Sequence, residues 1–545
     1  MRQPTRLLLV LHGHIPDVMG HGTWPHGANW IYEAAAETYL PFLRMAGRLV
    51  AEGIRIKATL GMTPVLSEQL EDPRFITGFF EYLTQRAQAA AEDREEFSRL
   101  GDGTTATLAE WWRGFYDGLH ADFEALPGRN ILAALRSLVD RGVLEPIASA
   151  ATHGFLPLLP TDRAIERQLD VGLKAHERHF GRPARGIWLP ECAYRPAGPW
   201  ISPADGHQEI RRGIEEFLVE RGVEFFFVET HLVRGGVTHP AYGGEVVRQE
   251  QGHSPYRIHG LPTDSGAQVS VLARDPLSSE QVWSGKVGYP GDGRYLEFHK
   301  KRAPSGHRYW RVTDARVELG DKLPYGPSAI PQALKAHARH FVSLLEEVPD
   351  LPDGSAPVIA AMFDFELFGH WWFEGVEFIA EVFRGLTGNA RVVPSTTSEA
   401  LAANPPRDAI SMPAGTWGRD GDFQVWWNSQ TVPYWKLVDA VETRLTELEE
   451  KARRGEIQGD LYAALVRQSL LLQSSDWPFL IDNKVSRDYA EARIKVHAAD
   501  FTSLVRLAET GEDESGTLIQ DLDDRDRLFG PELRALAAAL PVARA

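Results

Sequence analysis

Two carboxylates in this 545-residue sequence each follow an apolar run and stand among aromatic residues. Glu191 lies between Trp188 and Tyr194, and Asp364 precedes a stretch rich in Phe and Trp. Aromatic faces pack against the C–H face of a sugar ring, and a carboxyl pair can cleave a glycosidic bond as nucleophile and acid/base. The pair therefore indicates carbohydrate chemistry. The alternative for Glu191 is a strand-end carboxylate that only stabilises the start of a helix.

The elements that must position these residues form a repeating pattern. Short apolar runs alternate with long amphipathic stretches, which is the order of βα units in a parallel sheet or barrel. Seven runs qualify as strands: 7–11, 55–60, 146–151, 185–189, 223–228, 268–273 and 357–363. We therefore predict an α/β fold with an incomplete (β/α)7 barrel. A weaker run at 391–393 is either an extra strand or part of the exit from the barrel.

Ionisable residues directly follow six of these seven runs. In a parallel barrel, active-site groups gather at the carboxyl ends of the strands. The sequence therefore predicts that these groups converge on one rim. They are His12, His14, His153, Glu191, Glu229, His231, Asp275 and Asp364.

Three stretches depart from the short connections of the predicted barrel, which we expect to span residues 1–395. Residues 67–141 have a helical period and are predicted to be a helical insertion that covers the barrel. Residues 234–266 form a long Gly-rich loop, and loops of this length in a compact domain are usually functional or disordered. From residue 396 the sequence passes through a Pro-rich linker and becomes helical, so we predict an all-helical C-terminal domain over 396–545.

Composition limits the partners and the setting. A net charge of −17 argues against nucleic acid or an anionic membrane as the main partner, and it is compatible with a neutral polysaccharide. The 15 tryptophans suit either a large core or stacking on carbohydrate. Cys192 is the single cysteine, so no intrachain disulfide is possible. The first apolar run is too short for a signal-peptide core, and a cytoplasmic enzyme is the default expectation. No feature indicates an oligomeric state.

Five stretches give the chain a resemblance to glycoside hydrolase family 57, and within it to the 1,4-α-glucan branching enzymes. The matching stretches are 12–16, 152–157, 188–191, 364–375 and 476–478. They extend over nearly the whole chain, and the third and fourth in this order are the most specific. The resemblance implies the same seven-stranded barrel, a small helical subdomain over about 194–222, and a mobile loop over about 234–266.

The resemblance also implies roles for individual residues. Glu191 would be the nucleophile and Asp364 the acid/base, since the family motif places the acid at this position rather than at Glu366. A tyrosine at the tip of the mobile loop would disfavour water; Tyr242 is the candidate, and Tyr256 is the next. The expected glucan contacts are His12, His14, Trp24, His153, Tyr242, Trp283, Trp417, Trp426, Asp476 and Trp477.

A metal site is the main alternative for the histidines. His12 and His14 flank one residue on a strand end, which puts two imidazoles on one face, and His153 could join them. Metal-dependent polysaccharide deacetylases also use incomplete barrels. A metal reaction would, however, leave Glu191 and Asp364 without evident roles, so no metal and no cofactor are expected.

Three functions are therefore compatible with the sequence. The first is a retaining branching enzyme, which cuts an α-1,4-glucan and transfers the chain to a 6-hydroxyl. The second is an amylase or 4-α-glucanotransferase of the same family, with water or a 4-hydroxyl as acceptor. The third is a deacetylase or binding protein on the same barrel. The motif 368–375 and the pair Trp417 and Trp426 favour the first over the second.

Overall fold

The computed structural model describes residues 3–238, 246–248, 252–284, 287–314, 316–513 and 515–540. Within these ranges 13 strands are present. They are β1 (Thr5–Gly13), β2 (Ala58–Met62), β3 (Leu144–Ile147), β4 (Gly186–Ile187), β5 (Gly198–Ile201), β6 (Gln208–Arg211), β7 (Phe225–Val228), β8 (Gly236–Thr238), β9 (Val246–Arg248), β10 (Ile258–Pro262), β11 (Gln268–Ala273), β12 (Val358–Asp364) and β13 (Val392–Pro394).

The same ranges contain 19 α-helices, and most of them follow the predicted amphipathic stretches. They are α1 (Ala28–Ala34), α2 (Leu40–Ala51), α3 (Pro64–Glu71), α4 (Pro73–Arg99), α5 (Gly103–Ala125), α6 (Ile131–Asp140), α7 (Asp162–Phe180), α8 (Ile214–Glu220), α9 (Thr230–Val233), α10 (Pro276–Trp283), α11 (Ile330–Glu346), α12 (Gly375–Gly385), α13 (Thr397–Ala403), α14 (Val432–Arg453), α15 (Gly459–Leu472), α16 (Asp476–Asn483), α17 (Arg487–Thr510), α18 (Leu518–Arg525) and α19 (Gly530–Ala538).

Seven parallel strands form a ring, and this confirms the predicted fold class. One sheet has the order β12-β1-β2-β3, and a second contains β11-β7-β4, all paired in parallel. Two single parallel bridges join the sheets: Ala148 pairs with Ile187, and Arg274 pairs with Ala360. The weaker predicted run became β13, which pairs with the start of β1.

The ring is held together by apolar side chains on both of its faces. All of β12 is buried, and seven of the nine residues of β1 are buried in an unbroken run. Strands that are buried on both faces appear in the sequence as continuous apolar runs rather than alternating ones. For this reason they could be identified from the sequence. Outside the ring, helices α3 to α6 account for the stretch predicted as a helical insertion. Phe75 and Phe79 of α4 are buried in the core cluster that these helices share with the barrel.

Two connections differ from what was expected. The stretch 194–222, expected to be helical, contains the antiparallel hairpin β5–β6 before α8. Pro199 and Pro203 disfavour a helix there, and Gly206, with φ 80°, allows the tight turn. The predicted loop 234–266 contains β10, which extends the second sheet antiparallel to β11. Tyr242 lies outside the described residues.

The helices from α14 onward pack against one another and against the barrel. Every residue of α15 from Leu461 to Leu472 is buried. Arg167 on α7 donates to Glu442 at 2.8 Å and to Glu449 at 2.7 Å, and all three side chains are buried. Such a paired network fixes α14 against the barrel helix.

The division into domains at residues 395–396 stays a prediction. Among the described helices, none combines the length and apolar character that a membrane crossing requires.

Candidate active site

Glu191 occupies a strained turn just after β4. Its φ is 60° and its ψ 23°, in the left-handed region, and the next residue, Cys192, has a φ of 48°. Residues other than glycine adopt this conformation at a cost, and such residues cluster at functional sites. The turn is held by the loop before α14: Trp417 N donates to Glu191 O at 3.3 Å, and Thr416 Oγ1 donates to the same carbonyl. These hydrogen bonds fix the backbone of Glu191, so its carboxylate is held in a defined position.

The carboxyl oxygens of Glu191 are held by side chains from the C-terminal half. Trp417 Nε1 donates to Oε2 at 2.9 Å, and Ser475 Oγ donates to Oε1 at 3.2 Å. His153 Nδ1 is 2.9 Å from Ser475 Oγ and 3.9 Å from Glu191 Oε1. Burial raises the pKa of Glu191 from 4.5 to about 7. The bond from Trp417 opposes this rise, and the negative charges of Asp364 and Asp476 add to it.

Asp364 is the last residue of β12, directly beside His12 in the register of β1 and β12. Its side chain is buried, and burial raises its pKa well above the ordinary value of 3.8. The charge of Glu366 raises this pKa further, and Arg274 opposes it. A carboxyl group with a raised pKa holds its proton to higher pH than an ordinary aspartic acid does, and it can donate that proton.

Glu366 is held by two donors. Tyr39 OH donates to its Oε1, and the backbone N of His14 donates to the same oxygen at 3.1 Å. Burial raises its pKa to about 7, against the effect of the bond from Tyr39. Glu366 is thus tied to the loop after β1 through His14 and to the helical turn after α1 through Tyr39. Among the described residues, Asp364 has no such pair of donors.

The three predicted histidines form one stack on the rim. The rings of His14 and His153 are 3.9 Å apart, those of His12 and His153 are 5.0 Å apart, and His12 stacks on Trp188 at 4.6 Å. His12 Nε2 and His153 Nε2 are 3.0 Å apart. Burial lowers the pKa of both His12 and His153 well below 6.5, so both rings are neutral. Neutral imidazoles can donate to or accept from sugar hydroxyls.

The same histidines also satisfy the geometry of a cation site. Ligand atoms of His14, His153 and Asp476 lie within 4.8 Å of one another. His14 Nε2 bonds to Asp476 Oδ2 at 2.9 Å and His14 Nδ1 to Thr63 Oγ1 at 3.1 Å. Two imidazoles and a carboxylate are a donor set that zinc accepts. The cluster can therefore serve either as a hydrogen-bonding platform or as a cation site.

The predicted aromatic contacts fall into two groups. The ring of Trp417 lies 5.1 Å from that of Trp188 and 6.3 Å from that of Trp283, so Trp283 lies beside the indole that donates to Glu191. Trp24 exposes 79% of its surface, on the loop between β1 and α1. Trp24 and Trp283 stay candidates for sugar contact. Trp417 is 1% exposed and its Nε1 donates to Glu191, so its predicted glucan contact is corrected: it holds the carboxylate instead.

Trp426 and Trp477 are packed in the interior, and this corrects the prediction that they contact glucan. Both are 0% exposed. The ring of Trp426 stacks on Phe155, and Trp477 Nε1 donates to Leu471 O at 2.8 Å. Their apolar rings face inward from the loop and from α16 because the C-terminal helices need a core of their own. They support the residues that hold Glu191 and do not offer a face to a sugar.

Sequence reasoning missed several residues of the site. Ser475, Thr416 and Tyr39 each bond to Glu191 or Glu366, and Arg274 acts on the pKa of Asp364. Ser475 had one signal, since it directly precedes Asp476 in a stretch already singled out. Arg274 also had a signal, since it directly follows the predicted strand 268–273. Thr416 and Tyr39 had none, because a contact between distant segments leaves no local pattern.

Two family descriptions match the sequence. The model for glycosyl hydrolase family 57 matches residues 8–413, and the model described as 1,4-alpha-glucan branching enzyme, C-terminal, matches residues 437–535. A 1,4-alpha-glucan branching enzyme of Thermococcus kodakarensis is 39% identical over 533 residues, which are 96% of this chain and 77% of that protein.

Solved structures agree with these matches over the full length. The chain is similar to the branching enzyme of Pyrococcus horikoshii, with a TM-score of 0.88, 37% identity, and coverage of 98% of this chain and 96% of that chain. It is also similar to the α-amylase AmyC of Thermotoga maritima, with a TM-score of 0.79, 28% identity, and coverage of 98% and 99%.

Proposed function

The chain belongs to glycosyl hydrolase family 57, and we propose that it is a retaining 1,4-α-glucan branching enzyme acting on amylose-like or glycogen-like chains. The observation that carries the proposal is the pair of buried carboxyls, Glu191 and Asp364, whose environments differ. Burial raises both pKa values, but only Glu191 has hydrogen-bond donors on its two oxygens, which stabilise its charge. The group that ionises first suits the nucleophile, and the group that keeps its proton suits the acid.

In the first half of the reaction, the Asp364 carboxyl donates its proton to the glycosidic oxygen. The Glu191 carboxylate attacks C1, the C1–O bond breaks, and the leaving chain departs with a free 4-hydroxyl. The products are a glycosyl ester on Glu191 and an ionised Asp364. Neutral His12 and His153 are placed to bond the sugar hydroxyls, which orients the ring for attack.

In the second half, the Asp364 carboxylate removes the proton from a 6-hydroxyl of an acceptor glucan. The hydroxyl oxygen attacks C1 as its proton passes to Asp364, the ester bond to Glu191 breaks, and an α-1,6 linkage forms. Both carboxyl groups return to their starting states. Water in place of the acceptor would give hydrolysis, so exclusion of water decides the outcome; Tyr242 is the residue we propose for that task.

Similarity to the Thermotoga maritima amylase makes hydrolysis the second candidate. The match to the branching-enzyme C-terminal model over 437–535 favours transfer to a 6-hydroxyl. A deacetylase would use the cluster of His14, His153 and Asp476 as a metal centre and would leave the Glu191 site without a task. We also propose that the activity serves the synthesis of a storage glucan and that the protein works in the cytoplasm.

Trapping the glycosyl-enzyme tests this mechanism. With an activated donor such as an α-maltosyl fluoride, Asp364→Asn should still form the ester, because fluoride leaves without a proton, and should accumulate it, because the base is missing. Intact-mass measurement should show one added maltosyl group, located on Glu191 after proteolysis. The double variant Glu191→Gln/Asp364→Asn is the matched control and should show none. An unmodified Asp364→Asn protein that releases fluoride at the wild-type rate would refute the covalent mechanism.

A further inference from the structure

Two histidines and an aspartate meet at β10, the edge strand of the second sheet. His259 lies on β10 opposite Val271 of β11, and its side chain is buried. His253 is half-buried in the turn before β10, and Asp408 is exposed on the connection between α13 and α14. Ligand atoms of the three residues lie within 4.8 Å of one another. Imidazole and carboxylate groups in this arrangement are the donors that a transition metal accepts.

The ring of His259 is oriented as in a metal-binding histidine. Its Nε2 is 2.8 Å from Ser254 O, a carbonyl oxygen that can only accept, so Nε2 carries a proton. Its Nδ1 faces both carboxylate oxygens of Asp408, at 3.0 and 3.1 Å. Histidines that bind a metal usually donate one ring N–H to a carbonyl or carboxylate and use the other nitrogen as the ligand. Bonds of about 2.0 Å in a tetrahedral zinc site set two ligand atoms about 3.3 Å apart, close to the spacing found here.

His253 distinguishes this cluster from an ordinary ion pair, which would need only His259 and Asp408. The rings of His253 and His259 have centroids 5.6 Å apart and planes 62° apart. Because His253 is half-buried and the side chain of Asp408 is 43% exposed, a cation can enter from solvent. A small rotation of the His253 side chain brings a ring nitrogen to bonding distance. Three protein ligands leave the fourth tetrahedral position for water.

Backbone hydrogen bonds fix the segments that carry these ligands. Gly260 N donates to Asp408 O at 3.0 Å, and Ile410 N donates to Gly260 O at 2.9 Å, so this segment runs along the edge of β10. In the turn after His253, Tyr256 N donates to Ser254 Oγ at 3.2 Å. The ligands are therefore positioned by the fold, and a cation pays little to order them.

The arginines next to the cluster are paired with a different carboxylate. Arg257 Nη1 donates to Asp353 Oδ2 at 2.8 Å, and Arg407 Nη1 lies 3.5 Å from the same oxygen. Among the described residues, neither arginine forms an ion pair with Asp408. The carboxylate of Asp408 is therefore available to a cation.

Two other groups of histidine and aspartate, which share Asp526, differ in this respect. Arg493 Nη2 lies 3.1 Å from Asp17 Oδ2, and Arg525 Nη2 lies 2.6 Å from Asp526 Oδ2. A guanidinium group in such a cluster already neutralises the carboxylates, and it repels a second positive charge. These groups are therefore salt-bridge networks, and they do not offer the free carboxylate that Asp408 offers.

We propose that His253, His259 and Asp408 bind a zinc ion, with water as the fourth ligand. Imidazole nitrogens favour zinc over magnesium and calcium, which prefer oxygen ligands. The ion ties the turn before β10, β10 itself and the segment around Asp408 to one another. It stabilises the folded protein and takes no part in glycosyl transfer, so the inference does not depend on the proposed function.

Calorimetric titration of zinc chloride into protein treated with EDTA and then dialysed tests the site. His253→Asn and Asp408→Asn should each weaken zinc binding by at least roughly tenfold, because loss of even an outer partner of a metal ligand typically costs that much. His253→Cys, which keeps a zinc ligand, should bind within roughly tenfold of the wild type. His207→Asn is the control, since His207 is an exposed histidine in the turn between β5 and β6 and should not affect binding.

Thermal unfolding gives a second readout. Zinc at about 100 times its Kd should raise the Tm of the wild type by about 2 °C and leave that of Asp408→Asn unchanged, while kcat stays the same in both proteins. A wild type that does not bind zinc, or binding that survives both His253→Asn and Asp408→Asn, would overturn the proposal. Zinc binding that is lost in Asp476→Asn but kept in Asp408→Asn would also overturn it and would place the ion at His14 and His153.

Discussion

Replacing Glu191 by glutamine should stabilise the folded protein at neutral and alkaline pH while it abolishes turnover. Burial raises the pKa of Glu191 from an ordinary value of 4.5 to about 7, so folding places a charge where it is disfavoured. The difference corresponds to about 3 kcal/mol of destabilisation once the group is ionised in both states. Glutamine keeps the shape and can still accept from Trp417, but it carries no charge.

The sign of the effect follows from the direction of the pKa shift. Below about pH 4.5 the group is protonated in both states, so the charge has no effect on stability. As the pH rises, the unfolded chain loses this proton first, and the stability of the wild type falls until the pH passes about 7. The advantage of Glu191→Gln should therefore be small near pH 4.5 and full near pH 8.

Thermal unfolding followed over this pH range measures the difference. At about 2.1 cal/mol/K per residue, 545 residues give an unfolding entropy of about 1.1 kcal/mol/K. An effect of about 3 kcal/mol then raises Tm by about 3 °C at pH 8. Glu177→Gln, on the exposed face of α7, is the matched control and should leave Tm unchanged at every pH. A gain that does not grow with pH, or a loss of Tm, would show that burial does not govern the ionisation of Glu191.

Three further predictions concern activity. Glu366→Gln should move the basic limb of the kcat/KM profile to lower pH, because the charge of Glu366 adds to the effect of burial in raising the pKa of Asp364; an unmoved limb would exclude this coupling. Exhaustive chelation with EDTA should leave activity unchanged, because in the proposed mechanism two carboxyls supply both nucleophile and acid. A loss that zinc restores would instead place His14, His153 and Asp476 around a metal. Tyr242→Ala should lower the ratio of α-1,6 linkages formed to reducing ends released, and an equal ratio would remove Tyr242 from the control of water.

The barrel and the rim were predictable because their signals are local. Buried parallel strands read as continuous apolar runs, and the residues that follow them, such as His12 and Asp364, meet at the rim by the geometry of the ring. β10 was missed because residues 258–262 lie in a stretch of Gly and Pro that reads as a loop. It pairs with β11 only once the second sheet has formed.

Contacts between distant segments could not be predicted from the sequence. The bond from Ser475 to Glu191 joins residues far apart in the chain and depends on how α16 docks. Trp426 and Trp477 show the converse. Their residue type suggested sugar contact, but a tryptophan serves equally well in a core, and only packing decides which. Matching a motif placed them near the site without telling which way their rings face.

The central claim is that a glycosyl group held on Glu191 passes to a 6-hydroxyl rather than to water. Proton NMR of amylose treated with the wild-type protein counts α-1,6 linkages against newly formed reducing ends in one sample. Branching predicts that α-1,6 linkages accumulate in clear excess over reducing ends, and that Glu191→Gln forms neither. Reducing ends that rise while α-1,6 linkages stay absent would contradict the account and make the protein an amylase.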